Sequence, residues 1–168
     1  GWTDAHDNVI LVSDCAAAKA IGKVSQMVIL AVKPQMMEEA IADLSGIADS
    51  GTAFLSIAAG IPTSWFAKRL GADALILRSM PNTPAAIGLG ITVLYSGDAS
   101  ADIVALATQL LRAVGQVVSI DDESLMDAVT ALSGSGPAYV FLLAEAMSKA
   151  GVDAGLPAEL SRTLAEAT

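Results

Sequence analysis

The sequence is poor in the residues that build covalent frameworks and metal centres. One cysteine, Cys15, excludes an internal disulfide framework, and with His6 as its one histidine the chain lacks the soft ligands of a zinc site. A reducing compartment is the default, and a cytoplasmic location is the expectation. Aromatic residues are 4% and charged residues 16% of the 168, against 54% hydrophobic. The core must therefore be Ala, Val, Leu and Ile packed between layers, the balance of an α/β protein with strands covered on both faces and an apolar subunit interface besides. Nine Lys and Arg stand scattered among eighteen acids, for a formal net charge of -9, and this excludes nucleic acid as a partner, because phosphate-backbone affinity rests on clustered cations. Apolar runs such as Met27 to Val32 fall far short of the ~18 residues that span a bilayer, so no membrane partner is expected.

Two catalytic signatures are missing as well. There is no G-x-S-x-G elbow and the histidine lies near the amino end, which disfavours a Ser-His-Asp hydrolase. Gly88-Leu89-Gly90 and Gly134-Ser135-Gly136 each begin a G-x-G but lack the third glycine, and neither lies in a first strand-to-helix turn. The chain starts at Gly1 without a methionine and stops at Thr168 within a helical pattern (Leu160, Leu164), so it reads as an internal piece of a longer chain.

What is present is an alternation of apolar runs and amphipathic stretches. Val9 to Val12 reads as a strand and Asp14 to Lys23 as a helix capped by Ser13 or Asp14. Met27 to Val32 is a continuous apolar run, the mark of a central parallel strand, followed by a helix from Pro34 with Met37, Ile41 and Leu44 on one face. The unit repeats as strand Ala53 to Ala58, helix Pro62 or Thr63 to Leu70, and strand Ala74 to Leu77. Further on come strand Ile91 to Tyr95, helix Ala101 to Val114 with a stripe of Ile103, Leu106, Leu110 and Val114, and strand Gln116 to Ile120. Such alternation implies right-handed crossovers and a doubly wound, Rossmann-like parallel sheet. From Asp121 onward only helical patterns remain, over Glu123 to Leu132, Gly136 to Ala150 and Pro157 to Thr168, which sets a domain boundary between 1–120 and 121–168.

The stretch Arg78 to Thr92, RSMPNTPAAIGLGIT, is built to hold a backbone still. Each proline fixes its own φ and disfavours helix in the residue before it, so Met80 and Thr83 are expected to be extended. In an open parallel sheet, ligands bind outside the carboxyl ends of the strands. Three turns fall there: Ala31-Val32-Lys33-Pro34, Ser56-Ile57-Ala58-Ala59-Gly60, and Ser79-Met80-Pro81-Asn82-Thr83-Pro84. Small residues in the second let a flat ring approach the backbone, Lys33 offers a cation and Asn82 both donates and accepts. Each has a plainer reading, as a helix start of small residues, a solvated lysine and a rigid strand connection, but three such turns together shift the balance toward a site.

Ala31-Val32-Lys33-Pro34-Gln35, Ser56 to Gly60, Arg78 to Pro84 and above all Asp127-Ala128-Val129-Thr130-Ala131-Leu132-Ser133-Gly134-Ser135-Gly136-Pro137-Ala138-Tyr139 resemble pyrroline-5-carboxylate reductase, in that order and from about Met27 to Thr168. The resemblance implies a Rossmann domain that binds NADPH or NADH, followed by the start of an all-helical dimerisation domain. The activity it implies is reduction of 1-pyrroline-5-carboxylate to L-proline, the last step of proline biosynthesis, by a homodimer or larger assembly of dimers. Carried over by residue, Ala31, Val32, Lys33 and Pro34 lie along the nicotinamide half of the cofactor, Ile57, Ala58 and Ala59 border its ring, and Asn82 joins them from the third turn. Glu123, four residues before Asp127, matches a position that meets the ring nitrogen of the substrate; its plainer reading is one of three acids (Asp121, Asp122, Glu123) on a helix's first turn. No residue is assigned the catalytic role. The family's opening glycine loop and its later carboxylate-binding segment have no counterpart in this chain, nor does the Asn that precedes the lysine strand. The alternatives are another NAD(P)- or F420-linked dehydrogenase of similar layout, and a non-catalytic, truncated dimerisation module.

Overall fold

The computed structural model describes residues 26–42, 44, 47 and 51–168. The strand expected at Val9 to Val12 and the helix expected at Asp14 to Lys23 lie outside the described residues. The chain divides into two compact units, one taking in the described residues up to Arg78 with Ser96–Val104, the other Ser79–Tyr95 with Ala105–Thr168.

In the first unit, strands β1 (Met27–Leu30), β2 (Ala53–Ser56) and β3 (Leu75–Met80, of which Ser79 and Met80 belong to the second unit) run parallel, with Met27 opposite Ala53 and Ala53 opposite Leu75. A 3-10 turn over Pro34–Met36 leads into helix α1 (Met37–Ala42), and helix α2 (Thr63–Leu70) follows β2. The proline at the first turn donates no amide there, so the helix start loses nothing by it. The expected face is the buried one: Met37, Ile41 and Leu44 join Leu30, Phe54, Phe66 and Leu70 in one cluster. Every residue of β2 is buried, and because side chains alternate along a strand, Phe54 facing that cluster and fully buried Leu55 show cover on both faces. At the surface, Glu38 accepts from Arg69 Nε at 2.8 Å while the Arg69 guanidinium lies 3.8 Å above the Trp65 ring, linking α1 to α2.

In the second unit, β4 (Gly90–Tyr95) and β5 (Gly115–Ile120) are parallel, with Gly90 opposite Gly115. Helix α3 (Ala101–Arg112), whose residues from Ala105 belong to this unit, connects them in sequence. Its expected stripe is shifted by one position: Ala107 and Leu111 are the buried residues, whereas Leu110 is 41% exposed. The change is a rotation of the contact line that apolar spacing alone leaves open, since Leu110 and Leu111 satisfy the same 3.6-residue period.

After Ile120 no strand occurs among the described residues. The helix expected over Glu123 to Leu132 is three short pieces instead: a 3-10 turn (Glu123–Leu125), helix α4 (Met126–Val129) and a π-helical turn (Thr130–Gly134), in which Ser135 N–H donates to Thr130 O at 2.8 Å. Helix α5 (Gly136–Asp153) and helix α6 (Ala158–Ala167) then pack together, tied by Ser161 Oγ donating to Ser148 O at 2.6 Å. The α/β class with parallel strands and a helical C-terminal part is the one expected.

Candidate functional site

The pairing of β1 with β2 decides the first unit's candidate site. Leu30 stands opposite Ser56, and Ile57 N–H donates to Leu30 O at 3.3 Å, so the chain leaves both strands side by side. Ala31–Pro34 and Ile57–Ala59 are therefore neighbours at one sheet end, the end from which α1 and α2 depart. Buried Ser56 accepts from Ala58 N–H through its hydroxyl at 3.2 Å, which bends the backbone just after the strand. Gly60 completes the bend at φ 73°, a left-handed conformation in which a side chain would be strained.

The exposure of these residues is mixed. Ala31, Lys33 and Pro34 are exposed, Val32, Ile57 and Ala59 are half-buried, and Ala58 is 6% exposed. Lys33 is extended (φ -62°, ψ 147°) ahead of the 3-10 turn and its side chain makes no cap hydrogen bond. A flat apolar group could lie over Val32, Ile57 and Ala59 with the Lys33 ammonium at its margin. Ala58 is different: its methyl belongs to the core cluster, so its contribution at the turn is the backbone and the small size of the residue.

In the second unit, Asn82 sits at the start of a 3-10 turn (Thr83–Ile87) but does not cap it. Its side-chain oxygen instead accepts from Ile91 N–H at 3.0 Å, closing the turn onto the start of β4. The expected rigid connection is thus built by a side-chain bond as well as by prolines. Thr83, expected to be extended, opens the 3-10 turn. The reason lies in hydrogen bonding: a proline in a helix's first turn lacks only an amide that has no intrahelical partner, so Pro84 is tolerated there and its steric preference for an extended predecessor is overridden.

Glu123 is half-buried in the first position of its 3-10 turn. Beside it Asp122 accepts from Ser124 N–H at 2.8 Å, and hydrogen bonds from the Ser124 side chain and then its backbone hold the Asp122 carboxyl below its ordinary range. The helix-start role read for the acids at 121–123 is thus filled by Asp122.

Two features escaped the sequence reading. The Ser133 hydroxyl in the π-helical turn is buried without a hydrogen-bond partner, and a Cβ on Gly134 would overlap the terminal methyl of Met80. The S-G-S-G run was visible as a motif, but nothing in it signals a five-residue hydrogen bond. Among the described residues no cluster of His, Cys, Asp and Glu could hold a metal ion, and no helix is long and apolar enough to cross a membrane.

Residues 123–168 match the family model described as pyrroline-5-carboxylate reductase dimerisation. Over 154 residues the chain is 42% identical to the pyrroline-5-carboxylate reductase of Arabidopsis thaliana, covering 91% of this chain and 55% of that one. The corresponding enzyme of Coxiella burnetii has a solved structure that superposes with a TM-score of 0.77 at 37% identity, over 84% of this chain and 53% of that one. The pyrroline carboxylate reductase of Plasmodium falciparum, solved with NADP bound, superposes with a TM-score of 0.81 at 27% identity, over 98% and 62%. The chain spans about half the length of the curated relatives it matches. The resemblance carried by the motifs is thereby shown on independent grounds: along most of its length the chain is similar to pyrroline-5-carboxylate reductase, over about half of that protein.

Proposed function

We propose that the protein carrying this chain is an oxidoreductase that reduces 1-pyrroline-5-carboxylate to L-proline with NADPH or NADH. The observation that carries this reading is the paired end of β1 and β2, which brings small and apolar residues side by side next to one lysine. In this reading the nicotinamide half of a dinucleotide lies there. When bound, the cofactor supplies a hydride to the imine carbon. The residues of this chain do the rest: Val32, Ile57 and Ala59 support a planar ring and shed water from it, Ala31 and Pro34 flank it, Ala58 keeps the turn narrow, and Lys33 attracts an anionic group. Asn82 keeps its own turn closed and has an amide group left to donate. Glu123 acts on the substrate side, where a carboxylate near the ring nitrogen stabilises the protonated imine, the form that accepts hydride readily.

Residues 121–168 serve in this reading as the start of the helical dimerisation domain, with 1–120 as the partial cofactor domain. Support comes from the match over 123–168 and from α5, whose Tyr139, Val140, Phe141, Leu142 and Leu143 are 57–69% exposed. Exposed apolar side chains all round this turn of the helix leave apolar surface that association would cover. A homodimer or larger assembly of dimers is proposed on that basis. A cytoplasmic location goes with it, in keeping with a single cysteine. The test is NADPH oxidation by the protein expressed from its complete coding sequence, with proline identified as product; absence of proline formation refutes the reading.

A further inference from the structure

We infer that Gly134 is a positioning residue for the Asn82 turn, acting through Met80. The inference rests on the reading that this turn meets the cofactor. Gly134 is not among the glycines with positive φ, so the backbone does not require glycine there, and within a helical run alanine would be the more stable residue. What glycine supplies is room: a Cβ would overlap the Met80 terminal methyl and lie 3.6 Å from its Cγ and 3.7 Å from its sulfur. Met80 is the last residue of β3 and is followed at once by Pro81 and Asn82; its terminal methyl can swing clear of a small group at 134, and a larger side chain there presses through Met80 on a backbone that proline makes stiff.

The π-helical turn supports the same conclusion. In a regular α-helix the Ser133 hydroxyl could bond a carbonyl of the preceding turn, as Thr130 Oγ1 does with Met126 O at 2.8 Å, yet Ser133 Oγ is buried and unbonded. Residues 130–134 thus carry two local disadvantages, a glycine in a helix and an orphaned hydroxyl. Elements that break local preference are held by tertiary contacts, and π-helical turns occur often at functional sites. Here the contact is the seat of Met80 on Gly134, and its consequence is the placement of Asn82 and of the bond it makes to Ile91.

The experiment uses the protein expressed from its complete coding sequence and has an arm that does not depend on activity. Exchange of the Ile91 amide, protected by Asn82, is followed by NMR together with the Met80 methyl resonance in Gly134→Ala and Gly134→Val. Protection is expected to fall in Gly134→Val by about tenfold, an overpacking effect, and less in Gly134→Ala, because a methionine terminus can yield to a methyl. Gly136→Ala serves as control, since a Cβ there meets open space, and is expected to leave Ile91 unchanged. Combining Gly134→Val with Met80→Ala gives the valine its room and is expected to restore protection. In the kinetic arm, Gly134→Val raises the KM for NADPH about fivefold or more with kcat for the imine near wild type, and the double variant recovers. Unchanged Ile91 protection in Gly134→Val, or loss of kcat at unchanged KM, overturns the inference. If the wild-type protein forms no proline, the functional reading fails, and the exchange arm alone decides whether Gly134 sets the turn.

Discussion

Replacing Asn82 separates a role in holding the turn from a role in holding a ligand. Asn82→Ala removes the oxygen that accepts from Ile91 N–H at 3.0 Å and leaves that amide to find water. An unsatisfied buried amide costs ~1–3 kcal/mol; Ile91 is half-buried, so water reaches it in part and the lower end applies, about 1–1.5 kcal/mol. For a protein of 150–250 residues each kcal/mol moves Tm by about 2–4 °C, so the expected loss is ~2–6 °C. Asn82→Asp keeps an acceptor in the same place and changes only the donor and the charge; its stability should lie within ~0.5 kcal/mol of wild type. Urea denaturation measures the free-energy change of both variants and thermal unfolding the shift in Tm, each on the protein from its complete coding sequence. Equal destabilisation by the two variants, or none by Asn82→Ala, refutes the structural role. With the fold kept, a loss of NADPH affinity in Asn82→Asp would place the amide group on the cofactor, and unchanged affinity would remove Asn82 from the site.

Other consequences are open to direct measurement. Lys33→Met is expected to raise the KM for nicotinamide cofactor with little change in kcat, and steady-state kinetics at varied NADPH would show whether the exposed lysine at the end of β1 is only a surface charge. Glu123→Gln should lower kcat/KM for the imine by roughly 10- to 150-fold, the equivalent of one charge-assisted hydrogen bond of ~1.5–3 kcal/mol; unchanged kinetics would return Glu123 to a structural part in its turn. Phe66→Ala empties a fully buried site in the first unit's core and should cost ~3–5 kcal/mol, read as a lower urea midpoint. Asp122 has a depressed carboxyl pKa in the folded protein, so its stabilising bond to Ser124 is present above the ordinary aspartate value and is lost as pH falls through the lowered one. Asp122→Ala should therefore reduce stability near neutrality and not at strongly acid pH. Phe141→Asp on the exposed face of α5 should shift the protein toward monomer in sedimentation at low micromolar concentration, and an unchanged assembly would mean that α5 is not the contact.

Between Met27 and Met80 the sequence by itself determined the element types of the described residues, because each strand there is a short apolar run and the starts of α1 and α2 are marked by proline. β1, β2 and β3 fall within a few residues of Met27 to Val32, Ala53 to Ala58 and Ala74 to Leu77, and the Met37, Ile41 and Leu44 face is the buried one. It also determined that the first two candidate turns occupy equivalent strand ends, since parallel order and short connections leave no other place for them. What only the tertiary structure decided lies where several arrangements satisfy the same pattern. Leu110 and Leu111 share a helical period, and packing chose Leu111. Residues 123–134 have an unbroken helical pattern, yet hydrogen-bond spacing passes from 3-10 through α to π, and composition does not record the contact between Met80 and Gly134 that accompanies it. Asn82 could have capped its own turn or reached a ligand, and the nine residues to Ile91 gave no sign that its oxygen would close the turn instead. Periodicity reports which face is apolar; which partner fills that face, and where a short polar side chain finds its bond, is set by residues distant in the chain.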